Sequence, residues 1–589
     1  MSCKSVRGWL AIPIALVFFW ALGSWTDRAA CFQPLRDALQ ITAVPTALLN
    51  RGSLGGMLRR LRLVRPVAND GKVYPPADCP ETPLDASLFQ KKRIVGKTLY
   101  RPNPDWLEEL AARQDPPLPE VKPDQFRNGW PLIAINVGEE DLTGLKWGIY
   151  VHYLSHGREG ERPSSLAYYV DGKRIFASQA GLRLHGGMSR FPGQTHSFRL
   201  HFREEYGATE FKRGTLFGPE CEPIRRLVVH ADWPPAYPFA GLLAFDMVER
   251  IGGVVPRTQP VLLVLNGQLQ TNLYFLSEHV GRAAWANRVG HNDFLMYIMK
   301  ADHETKSFRA FGDFHHWVLK TPEPLDLAEV EDKANLDSVS AWALAIAYGG
   351  TTDEMQGAAL MDLRADKPRW SWINWDLDHS FWDVYGDQTQ SKSWQKPSWE
   401  HVYKQREDPH YSLWRNGGDA RSVLFTRLMN HSPVYRERFL RYAIDMLNYR
   451  ITEKFLFGRI AHYERLCRSF GRTDLFFAED YREFVRHRPA LLREGMQKYF
   501  NAGAVRRVEV RAPNSASLLI DGFEETSPYE GYYFDGQTVS VEWVGAPPDG
   551  FQGWRVNGEP AAREVQFSGV VDRDMTVDSP LPEAGPPGP

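Results

Sequence analysis

From Pro131 onward the chain sets apolar and polar positions in short runs whose period changes along its length. Leu132-Ile133-Ala134-Ile135-Asn136-Val137 reads as a strand, and Gly148-Ile149-Tyr150-Val151 as a short turn or strand. Residues 165–170 and 174–176 flank Asp171-Gly172, a dipeptide suited to a two-residue hairpin. Residues 181–185 and 197–202 alternate apolar with basic side chains, as half-exposed strands do. Residues 260–265 predict another strand, Asn266-Gly267 a tight turn, and 272–276 its partner. Between these runs the period lengthens. Leu242, Leu243, Phe245, Met247, Val248 and Ile251 follow helical spacing, closed by Gly252-Gly253. Residues 336–347 also read as helix, and 370–375 as an apolar strand.

Past residue 410 the pattern is helical. Ser432-Pro433 places a capping hydroxyl before a proline at the first helical position, and Phe439, Tyr442, Ala443, Met446 and Leu447 mark one face. From about Val505 short strands take over, carrying Val508, Val510, Leu518, Ile520, Tyr533, Val539 and Val541. Residues 31–125 are weakly periodic and rich in proline, an extended lead-in. The Pro/Gly-rich tail, 579–589, is expected to be disordered.

Composition changes this picture in two places. The net charge of −2 over 589 residues gives no global field toward nucleic acid or anionic membranes. At the N-terminus, Lys4 and Arg7 precede an apolar run from Trp9 to Trp25, the layout of an export signal. Ala21-Leu22-Gly23 offers small residues for cleavage. Uncleaved, the run would be about 17 residues, roughly 25 Å as a helix, marginal for spanning a bilayer. Residues 1–30 therefore read as a signal peptide or a signal anchor. The five cysteines show no zinc-type spacing; Cys31 and Cys79 could pair, or remain free buried thiols.

The densest chemistry is Trp372-Ile373-Asn374-Trp375-Asp376-Leu377-Asp378. Two carboxylates close an apolar strand, where paired acids suit a divalent cation and also suit capping of a turn. Asp353 lies upstream across one crossover. One acid to orient a hydroxyl and another to hold magnesium is what phosphoryl transfer needs. Arg183-Leu184-His185-Gly186-Gly187-Met188-Ser189-Arg190 brings glycines, a hydroxyl and two arginines to a strand end. That suits an anion, and equally a glycine turn with solvated arginines. Lys300 ends the apolar stretch 294–299, and Glu278 follows the strand at 274–276; a lysine–glutamate pair there would orient nucleotide phosphates. His315-His316 shows no metal spacing.

Taken together these segments resemble the CotH family of spore-coat-H-like atypical protein kinases. Gly148-Ile149-Tyr150-Val151 and Gly160-Glu161-Arg162-Pro163 look like its early signature. Residues 181–190 with Ser197-Phe198-Arg199-Leu200 are similar to its next block. Leu265-Asn266-Gly267 with Leu273-Tyr274 and Glu278 is similar to its central hairpin, and Trp375-Asp376-Leu377-Asp378 with Ser380-Phe381 to its acidic block. Residues 505–576 resemble small bacterial β repeats, through Gly553-Trp554-Arg555-Val556-Asn557-Gly558.

The resemblance implies an α+β chain with an atypical protein-kinase-like fold, an N-lobe sheet and a helical C-lobe over 126–502, then a small all-β domain over 503–578. It implies ATP and Mg2+ or Mn2+, with Asp353 as the catalytic aspartate, Asp376 and Asp378 as metal ligands, and Lys300, Glu278, Arg190 and Arg183 toward the nucleotide. Its acceptor would be a protein Ser/Thr side chain. Three departures bear on activity. Gln356-Gly357-Ala358-Ala359 stands where the family shows asparagines, His196 replaces a lysine, and Thr271-Asn272 replaces a glycine. The function expected is an exported kinase of the cell envelope, tethered to the membrane if the leader stays. The alternatives are a non-catalytic adhesion protein on the same fold, or a nucleotidyl or aminoacyl transferase. Export has a direct check: a reporter fused after residue 130 should be active only outside the cytoplasm, and a cytoplasmic signal would remove the leader assignment.

Overall fold

The computed structural model describes residues 112–579 apart from 156, 213, 299–305, 352–356, 383–398 and 400–419, together with 89–94, 97–102 and 108–109. The leader, most of the proline-rich lead-in, Cys31, Cys79 and residues 580–589 lie outside the described residues. Residues 1–103 and 104–589 form two separate compact units. In the first, β1 (Phe89–Ile94) and β2 (Lys97–Pro102) pair as an antiparallel hairpin.

The second unit starts with a sheet of β3 (Leu132–Val137), β4 (Arg162–Val170), β5 (Lys173–His185), β6 (Ser197–His201), β7 (Arg226–Ala231), β8 (Thr258–Leu265), β9 (Gln268–Leu269) and β10 (Tyr274–Glu278). Its order is β10-β7-β6-β5-β4-β3-β8-β9, and β10 pairs with β8 as well as β7. Seven strands therefore close into a barrel, with β3 and β8 parallel and the other pairs antiparallel. The expectation was a kinase-like N-lobe sheet; a closed barrel does not clearly match one, and closure follows from β10 finding two partners. The hairpin residues are where their conformations require them. Asp171 and Gly172 have φ of 49° and 73°, and Asn266 and Gly267 48° and 76°.

Strand periodicity divides the barrel wall. Ile133, Ile135, Leu166, Leu182, Leu200 and Leu227 fill its interior. On the outside, Leu132, Ala134, Leu262 and Val264 join a larger core with the helices. The centre of that core is the helix Leu336–Gly349. It is apolar on all sides and buried along most of its length, capped by the Asn335 side chain at its start and by left-handed Gly350 at its end. Beside it lies a three-stranded sheet of β11 (Phe294–Ile298), β12 (Ala358–Asp362) and β13 (Ser371–Ile373). The helices Ala420–His431, Pro433–Asp445, Glu453–Phe470 and Phe476–Phe500 complete the lobe, and the Ser432 hydroxyl accepts from Tyr435 N as the sequence predicts.

Residues 505–578 fold as two sheets, one of five strands and one of four. The apolar positions read from the sequence, Val508 through Val541, are fully buried between them. This domain is joined tightly to the helices. Helix Pro433–Asp445 runs into a π turn, Met446–Arg450, whose Asn448 exchanges hydrogen bonds with the backbone of Tyr532 at 3.0 and 3.2 Å. The Asp521 carboxylate accepts from the Tyr449 hydroxyl (2.8 Å), the Tyr533 hydroxyl (2.7 Å) and Ser540 N (2.9 Å), and pairs with Arg441 at 3.1 Å. Its side chain is 3% exposed, so these partners replace water. Asp521→Ala should lower the unfolding free energy by about 1–3 kcal/mol, because it removes the acceptor of Ser540 N and of the tyrosine hydroxyl pair, while Arg441 keeps Asp445. Guanidinium denaturation within about 0.5 kcal/mol of wild type would show that the docking does not depend on this carboxylate.

Candidate functional site

The alternation that fills the barrel also builds a basic outer wall. With Leu182, Leu184, Phe198, Leu200, Leu227 and Val229 turned inward, the neighbouring positions on β5, β6 and β7 face out. Across the strands Arg183 sits opposite Arg199, His201 opposite Gly181 and Arg226, and His230 opposite Phe275. Arg199 donates to His185 Nδ1 at 2.7 Å, and the His185 ring lies 6.0 Å from His230 and 6.2 Å from His279. His230 stacks on Phe275 with centroids 4.7 Å apart. The outward positions Arg183, His185, Arg199, Arg226 and His230 are half-buried, as the sequence reading expects of these strands, while His201 is 2% exposed and Arg190, on the turn after β5, 8%. Arg190 donates to the Ser155 carbonyl at 2.7 Å.

Carboxylate compensation for this wall is concentrated in Glu161, whose side chain is 1% exposed. It accepts from Arg183 (2.7 Å), Arg158 (2.7 Å), Arg203 (3.1 Å) and the Tyr206 hydroxyl (3.2 Å). It lies directly over Gly181, where a Cβ would come within 2.5 Å of its Oε1, so the glycine is what lets the carboxylate reach the arginines. Beyond its reach the positive charge is in excess. Burial, then repulsion from Arg183, Arg226 and Arg190, brings Arg199 down to about 9; burial and Arg183 bring Arg190 to about 10. Burial and the surrounding arginines hold His201 and His279 far below the ordinary imidazole range, so both are neutral. Arg199 Nε, His201 Nε2 and His279 Nδ1 are buried without a hydrogen-bond partner among the described residues. Donors and positive charge in a half-buried wall fit a multiply charged anion.

The acidic turn follows β13. Asn374 N is held by the Val254 carbonyl at 2.7 Å, Trp375 packs on the small cluster of Ala358 and Ile373, and Leu377 is buried in the main core. Asp376 and Asp378 alternate with these anchors and are half-buried; Asp376 sits in left-handed backbone, φ 57°. Asp376 bears on His230: burial lowers that imidazole and the aspartate's charge opposes the fall. The turn therefore confronts the basic wall. Asp378 packs against Gly241 in the first turn of helix Ala240–Arg250, an end that favours negative charge. Among the described residues no three acid, histidine or cysteine side chains gather as a metal cage. Asp376 and Asp378 are two residues apart on this turn.

The remaining sequence candidates divide as follows. Asp353 and Lys300 lie outside the described residues. The chain on either side of residues 352–356 is fixed to the acidic turn: Thr351 and Ser380 hydroxyls are 2.5 Å apart, Phe381 N donates to Gly349 O at 3.0 Å, and Gly357 packs on the Ile373 carbonyl and Arg421. Glu278 is engaged by Arg257 N at 2.9 Å and Arg288 Nη1 at 2.7 Å, clamping the end of β10 to helix Arg282–Val289. Ala358 and Ala359 open β12 and are buried, Ala358 beside Trp285, Phe294 and Ile373. His196 hydrogen-bonds the Ser189 carbonyl at 2.9 Å and lies tilted against Tyr150, so it braces the arginine-bearing turn. Glu161 and Arg199 entered the sequence reading only as parts of family blocks with no role, and His201, His230 and His279 were not singled out; the alternating run 197–202 was the signal that could have found Arg199 and His201.

A basic wall on a barrel and a carboxylate turn on a helical lobe belong to a protein of mixed α and β structure. The profile of the family described as CotH kinase protein matches residues 182–491, just over half of the chain, and the chain belongs to that family. No curated protein matches it.

Asp232, next after β7, supports the loop beside the acidic turn. Its carboxylate accepts from Phe239 N at 2.7 Å, and the neighbouring Trp233 ring lies tilted against His379 with centroids 5.3 Å apart. Burial pushes Asp232 up to about 7, against hydrogen bonds and Arg472 that lower it. An acid raised in the folded state is most favourable at low pH. Its contribution is lost as pH rises from about 4, where the unfolded chain ionises, to about 7, where the folded one does. A displacement of that size corresponds to about 4 kcal/mol at most. Asp232→Asn keeps the acceptor oxygen and removes the charge. The variant should match wild type near pH 4 and exceed it by about 1–3 kcal/mol at pH 8, in denaturation midpoints taken across pH. A constant difference across that range would refute the linkage.

Proposed function

We propose that this protein is an exported kinase of the CotH type that transfers the γ-phosphoryl group of ATP to a Ser/Thr hydroxyl of a protein in the cell envelope. The observation that supports this most is the half-buried, under-compensated basic wall set against Asp376. Arg190, Arg199 and Arg183 would hold phosphate oxygens, and Asp376 with Asp378 would hold Mg2+ or Mn2+. A divalent ion there supplies charge neutralisation to the phosphates. By resemblance, Asp353 takes the proton of the acceptor hydroxyl. The hydroxyl oxygen forms the new P–O bond, the bond to the β-phosphate oxygen breaks, and ADP leaves with that electron pair. Lys300 would contact phosphate, and Glu278, clamped by Arg257 and Arg288, would act by fixing the wall. Export rests on the leader; among the described residues no helix is long and apolar enough to cross a membrane.

A second reading, a non-catalytic envelope or adhesion protein, draws on one observation. Ala358 occupies an apolar cluster where the resemblance wants a metal-binding amide. The two readings separate on Asp376→Asn. For a kinase, the substitution should abolish phosphoryl transfer and the Mg-dependent thermal stabilisation by ATP, with an unchanged circular dichroism spectrum. Full transfer by a clean Asp376→Asn preparation would remove the assignment. A wild-type chain that ATP with Mg2+ does not stabilise would favour the adhesion reading.

A further inference from the structure

The basic wall contains imidazoles whose role in holding the structure is incomplete. His185 is committed, since its Nδ1 accepts from Arg199. His230 faces Asp376 and belongs with the acidic turn. His201 and His279 differ. His201 is 2% and His279 9% exposed, and His201 Nε2 and His279 Nδ1 meet no partner among the described residues. The His279 ring lies against Gly281, where a Cβ would fall 2.8 Å from Nδ1, so room is kept for it.

The charges around these two rings are of one sign. His279 is surrounded by Arg199, Arg226, Arg183 and His201; His201 by Arg183, Arg199, Arg226 and Arg203, with Arg203 Nη2 at 3.5 Å from its Nδ1. These groups come from β5, β6 and β7 and from the segment after β6. The carboxylate just before β4, Glu161, is occupied by Arg158, Arg183 and Arg203. The groups that act most on the two rings are all basic, and with burial they push both imidazoles far down.

We propose that the ligand of this wall is a polyphosphate bound together with at least one proton, which His279 takes up on its unpartnered Nδ1. The proposal rests on the nucleotide reading above and adds its linkage to pH. Several negative charges entering the wall cancel the arginine repulsion that keeps the imidazoles neutral. The proton comes from solvent, and the imidazolium N–H then donates to a phosphate oxygen that a neutral acceptor nitrogen would repel. Affinity therefore strengthens as pH falls, by about tenfold per pH unit for each proton fully coupled.

The test is calorimetric titration of the full chain with Mg-ATP, and separately with Mg-tripolyphosphate, at pH 7.5 in buffers of different ionisation enthalpy. The slope of observed enthalpy against buffer enthalpy counts protons. Uptake of about one proton per ligand is expected. The His279→Asn variant should bind more weakly with uptake reduced toward zero, while the wild-type slope decides the matter even if that variant fails to fold. Binding of both ligands with no proton uptake overturns the inference and leaves the nucleotide reading standing. Tripolyphosphate binding with uptake, but no ATP binding, supports the wall as a polyphosphate site and removes the nucleotide. Absence of binding by either ligand overturns both.

Discussion

The carboxylate of Glu161 is the counter-charge on which the wall depends. A set of arginines cannot be drawn from water side by side without an acid to hold them, because each carries a desolvation cost of several kcal/mol. Glu161 meets three guanidiniums and a hydroxyl from one buried position. Its placement requires Gly181 beneath it and the β4–β5 pairing that brings Arg162 opposite Leu182. The register of one hairpin thus fixes the electrostatics of the site. A slip of one residue would turn Arg183 into the barrel and Leu182 toward the cleft.

Closure of the barrel has a matching consequence for the other side of the site. Because β10 pairs with both β7 and β8, the wall is tied at both edges and leaves no free sheet edge there. Its helical partner is held differently. The acidic turn hangs between two apolar anchors, Trp375 and Leu377, with the Asn374 backbone bonded to Val254 just before β8. The segment that precedes Asp353 is bonded to the same turn through Ser380 and Phe381. Wall, turn and upstream segment are therefore fixed through short backbone links, the arrangement a charge-stabilising site requires.

Much of the fold was legible where a local rule decided it. Asp171-Gly172 and Asn266-Gly267 demand positive φ, so their turns follow from residue type. The central helix shows its apolar pattern and was read two residues short, ending at 347 where the structure carries it to Gly349. Closure was not legible, because the β8–β10 and β7–β10 pairings are both set by long-range register rather than by local pattern. In the site, Asp376, Asp378, Arg183 and Arg190 were visible as residues out of place on apolar strands. The full burial of His201 and Arg190 was not. Period two says that Arg183, Arg199 and His201 share a surface, and nothing in it says whether that surface meets water or another lobe. Likewise the arginines that claim Glu278 lie 21 and 10 residues away, on other elements.

The buried amide missing at Ala358 and the half-buried arginines present on the wall weigh differently on function. An asparagine beside Trp285, Phe294 and Ile373 would need partners that this cluster lacks, so alanine there suits packing whatever the protein does. The wall is the opposite case. Replacing Arg199 with an apolar group of similar size would relieve the repulsion from Arg183, Arg226 and Arg190. A chain that kept this scaffold for packing alone has no physical need of unpartnered donors in a covered cleft. The excess charge is a stability cost that makes sense when a multiply charged ligand completes the site.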